Sequence, residues 1–549
     1  MVLAAVVLTA IACLFVPEIG RDASHFGRMA LAAAGVVLVA LRGLVFLIGE
    51  EKPRWLGSWR SALAAIVTIG WFNYYQFDRD LVVGINDWTD PAYYYTNSKY
   101  LHELSYDGLY AAALVCDAER GSPRTAGIQT LRDLRDDQLV PIAEGLAHGR
   151  EIASSFAPER WKAFCHDVTY FLDRIPPDAL RSNFFVDHGY NPPPTWTIVG
   201  GTLSELVPVE RIKWLCLVDF AVLAVAFGFV ARTFGGEVLA WCLLFFLTTF
   251  SGRWPVLGMS ILRFDWLAAL VIGMCLLAKQ RYGGAGAAIG FSAVNRVFPS
   301  VFFAPWLAGV ARDVVNEKRL PRRHLRFLAG ASIVVALLGG ISLARYGTAI
   351  SLDAADNLAM HNRSYSSHRV GLGSVLLYRG ETTRAEINRF EMACADPSEP
   401  NGMARKEQCI QALQWPLRAA ALGAVALLFV YAIRARPEDW ELLPLAILPF
   451  FCATNPQINY YNVRILLVIW HAVGLRSQFH RVGLTLLLLV EVATQYTKVI
   501  GVERYATTAT ASIGMAIYLA VLTAWMVSRS MSRTSLPAVP RGARSASVS

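Results

Sequence analysis

The chain has 549 residues, of which 55% are hydrophobic and 17% are charged, and its mean hydropathy is +0.39. Soluble domains carry about 25% charged residues, so this composition excludes an ordinary soluble protein and indicates an α-helical protein that crosses a membrane many times. The net charge of +9 does not indicate nucleic-acid binding, because the cations stand between hydrophobic segments, as membrane topology requires.

A series of hydrophobic segments runs through the chain, and most of them are long enough to cross a bilayer as a helix. Segment 283–311 is interrupted by Asn295, Arg296 and Pro299. We expect it to form two short helices in a hairpin, because an arginine at mid-span would otherwise face lipid. The fold class predicted is an all-α polytopic membrane protein with about 12 to 14 transmembrane helices. The segments are 2–16, 29–49, 61–77, 211–231, 236–250, 257–278, 283–311, 325–345, 415–433, 439–453, 463–476, 481–499 and 506–528.

Basic residues in the short connections predict which side of the membrane each connection faces. When the helices alternate in direction, every arginine- and lysine-rich connection falls on the cytoplasmic side, together with both termini. The N-terminal apolar run has no basic residues before it, so we expect a retained helix rather than a cleaved signal peptide. The expected location is the inner membrane of a bacterium. The basic connections are 52–60, 279–281, 312–326, 434–436 and 476–481.

Two long polar stretches then fall outside the cytoplasm, and they divide the chain into regions. Both stretches are expected to be structured, and the tail is expected to be disordered because it is rich in serine, arginine and proline. The regions are 1–60 with two transmembrane helices, 61–345 with the transmembrane core and the first outer loop 78–191, 346–414 as the second outer loop, 415–528 with the C-terminal helices, and the basic tail 529–549.

One pair of cysteines lies in each outer loop, and the other five of the nine lie in apolar segments. The loop pairs are Cys116 with Cys165 and Cys394 with Cys409. An even pair in each loop suits disulfides in an oxidising, periplasm-like compartment. Four free thiols are the alternative. Because the pairing matches a topology derived from charge alone, we predict the disulfides Cys116–Cys165 and Cys394–Cys409.

The stretch from Asn86 to Tyr110 packs carboxylates, tyrosines and one lysine where an apolar segment meets water. Asp90 followed by Pro91 predicts a helix start, with Asp90 as N-cap and Pro91 as the first helical residue, running to about Leu104. Asp90 could be only a cap. Asp87, three residues earlier, favours a catalytic role for Asp90 as well. A neighbouring negative charge raises the pKa of a carboxyl group toward the range useful for a general base.

Polar residues elsewhere form candidates for binding a substrate. The segment DHGYNPPPTW ends the first loop, and its prolines either form a rigid re-entry into the membrane or hold His188 and Asn191 beside the site. Arg263 and Arg296 could hold a lipid phosphate through their guanidinium groups, and Arg296 could instead be a structural ion pair. The segment HNRSYSSHR is either a solvated loop or a phosphate or sugar site that includes His361 and Arg363.

Four short motifs, taken together, resemble those of a known superfamily. They are Asp90-Pro-Ala-Tyr-Tyr-Tyr reaching Leu109-Tyr110, Tyr190-Asn-Pro-Pro-Pro, Asn362-Arg363-Ser364, and Asn455-Pro456 with Asn459-Tyr460-Tyr461. Their order resembles the GT-C superfamily of integral-membrane glycosyltransferases, and within it glycosyltransferase family 87, the polyprenol-phosphate-mannose-dependent mannosyltransferases. The chain departs from that pattern in having Arg363 in place of a glutamine, a tyrosine in place of a late histidine, and two extra helices before the first loop.

The resemblance implies a GT-C-like bundle and an enzyme. The donor would be a polyprenyl-phosphate sugar carrying a mannose-like hexose or a pentose, and the acceptor a lipid or a glycan. Asp90 would be the general base of an inverting transfer, with Asp87 beside it. The expected substrate-binding residues are Tyr94, Lys99, His188, Asn191, Arg263, Arg296, His361 and Arg363, several of which would stabilise the leaving phosphate.

No cofactor is expected, because the sequence lacks nucleotide-binding glycine motifs and zinc-type cysteine–histidine spacing. Asp87 and Asp90 could hold one divalent metal ion or none. Two functions from other classes remain open. A polytopic transporter or glycolipid flippase would show broken helices at the bilayer midplane, and Arg296 lies in such a broken segment. The other open function is that of a non-catalytic scaffold for polymer assembly.

Overall fold

The computed structural model describes residues 1–48, 56–85, 87–121, 123–253, 261–453 and 455–532, without the side chains of 45–48, 83, 253, 362 and 363. It is 77% helical with almost no sheet. Six of the described helices are long and apolar enough to cross a membrane. These findings confirm the all-α polytopic class. The six candidate spans are Arg21–Leu44, Lys213–Phe234, Arg322–His361, Gln414–Ala435, Gln478–Val499 and Arg504–Ser532.

Most predicted apolar segments coincide with a helix, although several helices are short or interrupted. The first part of the bundle consists of Val2–Cys13, Arg21–Ile48, Leu56–Tyr74, Lys213–Cys216, Val218–Phe234, Gly236–Thr248, Phe250–Arg253, Asp265–Ala278, Tyr282–Arg296, the 3₁₀ turn Phe298–Phe302, Phe303–Glu317 and Arg322–Arg363. The second part consists of Gln414–Ala435, Asp439–Leu442, the 3₁₀ turn Leu443–Ala446, Ile447–Ala453, the 3₁₀ turn Ile458–Arg464, Ile465–Val473, Gln478–Val499 and Arg504–Ser532.

The predicted helical hairpin in segment 283–311 is present. Its first helix ends at Arg296, and the chain turns at Val297, whose φ of 52° is left-handed. A 3₁₀ turn containing Pro299 then leads into the second helix, which begins at Phe303. The proline cannot continue the first helix because it lacks a backbone donor. The break therefore lies where the polar interruption in the sequence predicted it.

The predicted helix 325–345 is longer than expected, because it continues to Arg363 with a kink at Gly347. Gly347 has a φ of 78°, which a glycine adopts without steric cost. The residues after the kink extend the helix into the region predicted as the second outer loop. The helix also packs closely on its neighbour, since a Cβ at Gly286 would lie 1.9 Å from the carbonyl oxygen of Phe327.

The first outer loop is a folded unit with its own aromatic core, which includes Tyr95, Phe164 and Phe171. Strands β1 (Thr130–Asp133) and β2 (Gln138–Pro141) pair antiparallel, with Thr130 opposite Pro141. Its helices are Asp80–Val83, Thr89–Ala92, the π-helix Tyr93–Asn97, Leu101–Leu104, Leu109–Ala118, Ile142–Ser155, Pro158–Leu172, Pro177–Ser182, the 3₁₀ turn Phe184–Val186, Pro194–Leu206 and the 3₁₀ turn Val209–Arg211.

The second outer loop contains three short helices, Leu372–Leu377, Arg384–Ile387 and Gly402–Ala412, which pack on the last helix through Tyr505. Both predicted disulfides are present. The Cα atoms are 5.2 Å apart in Cys116–Cys165 and 5.0 Å apart in Cys394–Cys409. The last helix reaches Ser532, so 529–532 are helical and contradict the predicted disorder there, and 533–549 of the predicted tail lie outside the described residues.

Contacts between distant connections agree with the alternation of helices predicted from charge. At one end of the bundle, Arg42 and Arg60 both pair with Glu237, at N–O distances of 3.3 and 3.5 Å. At the other end, Nη1 of Arg369 donates to the carbonyl oxygen of Asn455 across 2.9 Å. Each set joins connections that the sequence predicts for the same side.

Candidate functional site

The helix that carries Asp90 begins two residues earlier than predicted. It spans Thr89–Ala92, so Asp90 lies inside its first turn and not at the N-cap, which is Trp88. The N-cap assignment for Asp90, with Pro91 as the first helical residue, is therefore wrong. The reason is that Asp87 opens this turn, because its Oδ1 accepts hydrogen bonds from the backbone N–H, across 3.0 Å, and the hydroxyl of Thr89.

The chain after Asp90 does not continue as one α-helix to Leu104. Residues Tyr93–Asn97 form a π-helix, and a separate short helix begins at Leu101. Nζ of Lys99 lies 3.3 Å from the hydroxyl of Tyr95, four residues earlier. A π-helix inserts an extra residue into a turn and is often found at functional sites.

Asp90 meets Arg263 at the end of the bundle that carries the two folded loops. Nη2 of Arg263 lies 3.6 Å from Oδ2 of Asp90, with 9% of the Arg263 side chain and 23% of the Asp90 side chain exposed. The Arg263 guanidinium stands 4.6 Å from the centre of the Tyr94 ring, and that of Arg296 stands 5.8 Å from it. Four residues predicted for the site thus lie together, with two cations attracted to one aromatic ring.

Two backbone amides fix Arg263 in place. The N–H groups of Arg263 and Phe264 each donate to the carboxylate of Asp219 across 3.0 Å. Asp219 is 2% exposed, so this contact holds the start of helix Asp265–Ala278 from inside the bundle. A buried carboxylate that accepts two backbone donors is satisfied without a cationic partner.

Arg296 also fixes this segment, and it is not the structural ion pair that the sequence left open. Its Nη2 donates to the carbonyl oxygen of Leu262 across 3.2 Å, and Nε1 of Trp196 donates to the same oxygen across 3.2 Å. Leu262 has a φ of 48°, a strained conformation for a branched residue, which these two donors stabilise. Within the described chain, Arg296 has no carboxylate within 4.0 Å and its Nε has no hydrogen-bond acceptor.

Asp265, which the sequence places two residues after Arg263, has a different partner. Its Oδ2 accepts a hydrogen bond from Nδ2 of Asn295 across 3.1 Å. Arg263, which pairs with Asp90, and Asp265 therefore have separate partners.

Two further carboxylates surround Asp90. Burial raises the pKa of Asp87, and the negative charge of Asp90 raises it further against the opposing hydrogen bonds of Thr89. Burial also raises the pKa of Asp187, again with a contribution from Asp90. The sequence reasoning named His188 and missed Asp187, although Asp187 opens the same DHGYN motif. The acidic residue next to a histidine was the signal that could have found it.

The proline-rich end of the first loop contributes Asn191 to the site. The hydroxyl of Tyr94 donates to Oδ1 of Asn191 across 3.5 Å. His188 turns away, since its Nδ1 lies 2.8 Å from Oδ1 of Asp137 and its ring meets that of His361 edge-on at 5.6 Å. Burial raises the pKa of Asp137, but the hydrogen bond from His188 together with the charges of His188 and Arg132 lowers that pKa overall. His188 therefore supports the loop.

Lys99 is engaged within the first loop. Its Nζ lies 2.6 Å from Oδ2 of Asp167, and the same oxygen accepts a hydrogen bond from the hydroxyl of Tyr100 across 2.8 Å. The phosphate role expected for Lys99 would require this buried contact to open. The side chain of Arg363 lies outside the described residues. His361 is 9% exposed, and its carbonyl oxygen accepts from Nη2 of Arg369 across 2.7 Å.

A basic cluster from the C-terminal helices lies beside the second loop, and the sequence reasoning missed its main members. Nη1 of Arg504 contacts Nε2 of His368, and Lys498 lies at the end of the preceding helix. Burial lowers the pKa of His368 to about 3, together with the charges of Arg504, Arg369 and Lys498. His368 is therefore a neutral imidazole among the cations Arg504, Arg369 and Lys498. A cluster of this kind attracts anions.

Among the residues that the structure describes, no three histidine, cysteine, aspartate or glutamate side chains are grouped as a metal site requires. In comparisons with known proteins, no family model, no curated protein and no solved structure matches the chain. The site is therefore interpreted from its own geometry, with Asp90 and two guanidinium groups around the ring of Tyr94, at the end of the bundle that carries both folded loops.

Proposed function

We propose that the protein is an integral-membrane glycosyltransferase that transfers a mannose-like hexose or a pentose from a polyprenyl phosphate to a lipid or glycan acceptor. The observation that carries the proposal is the pairing of Asp90 with Arg263, whose guanidinium stands with that of Arg296 beside the ring of Tyr94. The proposal includes a GT-C-like bundle of about 12 to 14 spans and an active site on the extracytoplasmic side of a bacterial inner membrane, with both termini in the cytoplasm.

Asp90 is proposed as the general base. Its carboxylate takes the proton of the acceptor hydroxyl while the hydroxyl oxygen forms a bond to the anomeric carbon of the donor. The bond between that carbon and the phosphate oxygen breaks at the same time, and its electron pair leaves with the lipid phosphate. Attack from the face opposite the leaving group inverts the anomeric configuration. A phosphate leaving group needs no separate acid, so one carboxylate is sufficient.

The two guanidinium groups beside Asp90 are proposed to hold the phosphate. A guanidinium offers parallel N–H donors that match two phosphate oxygens, and Nε of Arg296 is a buried donor available for such a contact. A fixed positive charge stabilises the charge that develops on the phosphate as the sugar leaves. The cluster of Arg504 and Lys498 supplies a second positive surface at the same end of the bundle, where a lipid phosphate could first bind.

The test is a transfer assay with purified protein in nanodiscs and a panel of radiolabelled polyprenyl-phosphate hexoses and pentoses. We expect one donor to yield labelled glycan or glycolipid, and Asp90→Asn to lower the rate about 100-fold or more. Asp178→Asn is the matched control, because Asp178 is a carboxylate of the same loop that is 91% exposed. Full activity in Asp90→Asn would contradict the assignment.

The sidedness of the site has its own test. Ser154 lies on an exposed surface of helix Ile142–Ser155 in the first outer loop. We expect Ser154→Cys to react with a membrane-impermeant maleimide in intact cells. A cysteine that reacts only after the membrane is opened would place the loop in the cytoplasm and contradict the proposed orientation.

Transport or flipping of a glycolipid is a second candidate function, and one observation favours it. The backbone breaks at Leu262 and at Val297, both with positive φ, on either side of the buried Arg296. Discontinuous helices beside a buried charge are typical of transporters. A fluorescent polyprenyl-phosphate sugar in proteoliposomes separates the two functions. Movement across the bilayer without a new glycosidic product would favour transport over transfer.

A further inference from the structure

The structure contains a cavity of about 530 Å³ between the first outer loop and the second half of the kinked helix. This volume lies within the range of sites for small ligands, roughly 300 to 1,000 Å³. Three separate parts of the chain form its wall: the turn at 105–107, the turn between β1 and β2, and residues 353–360 after the kink at Gly347. None of the residues named for the transfer site lines it.

Carboxylates dominate the wall and decide which ligands it can accept. Its acidic residues are Asp107, Asp136, Asp353 and Asp356. The cation in the lining, Arg135, is already engaged, since its Nε lies 3.0 Å from Oδ1 of Asp133. The wall therefore repels phosphate and other anions. No metal-binding group of three is present in the described part of the chain, so the described wall lacks the arrangement that a metal-ion site needs.

The remaining wall suits the face of a sugar ring. Tyr106, Leu134 and Met360 contribute apolar surface, and the amide of Asn357 and the hydroxyl of Ser105 lie among the carboxylates. Carboxylate oxygens accept hydrogen bonds from hydroxyl groups, while aromatic and aliphatic surface packs against C–H groups. A neutral, hydroxyl-rich molecule satisfies both kinds of surface, whereas a lipid chain would leave the carboxylates without partners.

The cavity adjoins the transfer site through a single rigid segment. On the cavity side, Nδ2 of Asn357 donates to the carbonyl oxygen of Tyr190 across 3.0 Å. The hydroxyl of Tyr106 donates to the carbonyl oxygen of Pro192 across 2.8 Å. On the other side of the same segment, Asn191 accepts the hydrogen bond from Tyr94, whose ring carries Arg263. Residues Tyr190–Pro192 thus contact residues of the cavity wall and, through Asn191, the Asp90 site.

We infer that this cavity binds the part of the acceptor that lies away from the reacting hydroxyl, and that the acceptor is a neutral glycan with several free hydroxyl groups. The claim that the ligand is the acceptor rests on the proposed function. The claim that the cavity binds a glycan does not depend on transfer activity. The donor, with its phosphate, is excluded from the cavity by charge and meets the protein at the arginines. The donor phosphate and the bound part of the acceptor therefore lie on opposite faces of the Tyr190–Pro192 segment, and the reacting hydroxyl of the acceptor extends past this segment to Asp90.

The test measures glycan binding and transfer separately on the full-length protein in nanodiscs. The probes are fluorescently labelled manno-, gluco-, galacto- and arabino-oligosaccharides, with spermidine and CaCl₂ as competitors. Ala359→Trp fills the cavity from an exposed position of the helix, and Ala355→Trp is the matched control one turn earlier, outside the lining. We expect at least one oligosaccharide to bind, and Ala359→Trp to weaken it about tenfold or more.

A second pair of variants changes charge without filling space. Asp356→Asn removes one acceptor carboxylate, and Glu391→Gln removes an exposed carboxylate of the second loop away from the cavity. We expect Asp356→Asn to raise the KM for the acceptor with the KM for the donor unchanged, and Glu391→Gln to leave both unchanged. Binding by spermidine or Ca²⁺ with no oligosaccharide bound would overturn the inference, as would wild-type affinity in both cavity variants.

The two proposals fail in different ways. If oligosaccharide binds and Ala359→Trp abolishes it while no donor supports transfer, the cavity is a glycan site and the proposed enzyme activity is wrong. If transfer occurs and both cavity variants keep the wild-type KM for the acceptor, the enzyme activity holds and the acceptor site lies elsewhere. Asp90→Asn should keep full oligosaccharide binding, because Asp90 is not part of the cavity wall.

Discussion

Arg263 reaches Asp90 across 3.6 Å from a segment that enters the membrane bundle far along the chain from it. Asp90 belongs to the first turn of a loop helix, whereas Arg263 precedes a buried bundle helix and is held by Asp219. The pair therefore joins the folded outer loop to the transmembrane core. Because Tyr94 lies under the same guanidinium, the position of this cation depends on both units.

Replacing Arg263 tests whether the guanidinium acts on a phosphate. We expect Arg263→Gln to lower kcat/KM about 100-fold, since it removes a cation placed to stabilise developing negative charge. Arg263→Lys should recover part of the loss, because it keeps the charge without the two parallel donors. Arg174→Gln is the matched control, because the Arg174 guanidinium also stacks on a tyrosine, 3.4 Å from the Tyr170 ring centre. Wild-type kinetics in Arg263→Gln would contradict the role.

The raised pKa of Asp187 predicts how stability changes with pH. A carboxyl whose pKa is higher in the folded chain binds more protons there than in the unfolded chain, so stability falls as pH rises above about 3.9, the ordinary aspartate value. Asp187→Asn removes this loss. We expect the variant to have a higher Tm than the wild type at pH 7.5 and an equal Tm near pH 4.

Thermal unfolding of the purified protein between pH 4 and pH 8 measures this difference. Asp178→Asn serves as the control, since its carboxylate is 91% exposed and should show no pH-dependent difference from the wild type. A Tm difference for Asp187→Asn that grows as the pH falls would mean that the carboxylate stabilises the fold in its charged form.

Local patterns in the sequence were sufficient for the class of fold and for part of the site. The polar interruption at Arg296 and Pro299 predicted the break in the hairpin, because a proline and a buried charge have immediate local consequences. Asp90, Tyr94, Arg263 and Arg296 were selected individually for their chemistry. Their convergence was expected only from the topology, which brings the outer ends of the helices together.

The remaining features depend on tertiary contacts that no local pattern records. Lys99 stands close to Asp90 in sequence, but Asp167 from a later helix engages it. Arg504 is distant from His368 in sequence, and its contact with His368 follows only from the packing of the last helix on the second loop. The π-helix at Tyr93–Asn97 likewise shifts the helix register in a way that the 3.6-residue period does not predict.

The disulfides predict a defined pattern of thiol reactivity. The five cysteines outside the two disulfides, which are Cys13, Cys216, Cys242, Cys275 and Cys452, should be alkylated when the protein is denatured without reductant. All nine cysteines should react after reduction. Intact-mass spectrometry of protein isolated from membranes with an alkylating agent present measures both numbers. Alkylation of all nine without reductant would mean that the two loops fold in a reducing compartment, contrary to the proposed orientation.

A buried ion pair behind the site gives the last prediction. Nη1 of Arg464 lies 2.7 Å from Oε1 of Glu491, with 2% and 1% of the side chains exposed. The pair holds the turn that follows helix Gly236–Thr248, because Glu491 accepts from the N–H of Phe250 across 2.8 Å and Arg464 donates to Oγ of Ser251 across 3.0 Å. Arg464→Met leaves the carboxylate buried alone, and we expect it to lower the unfolding free energy by about 3 to 5 kcal/mol.

The double variant Arg464→Met/Glu491→Met separates stability from positioning. Replacing both charges by apolar side chains removes the uncompensated carboxylate, so much of the lost Tm should return. Transfer activity should stay low, because the N–H of Phe250 and the hydroxyl of Ser251 have lost the partners that fix this turn before the segment leading to Arg263. Fluorescence-detected size-exclusion chromatography after heating gives the Tm, and the transfer assay gives the rate. Recovery of both stability and activity would show that the pair has no role in positioning the site.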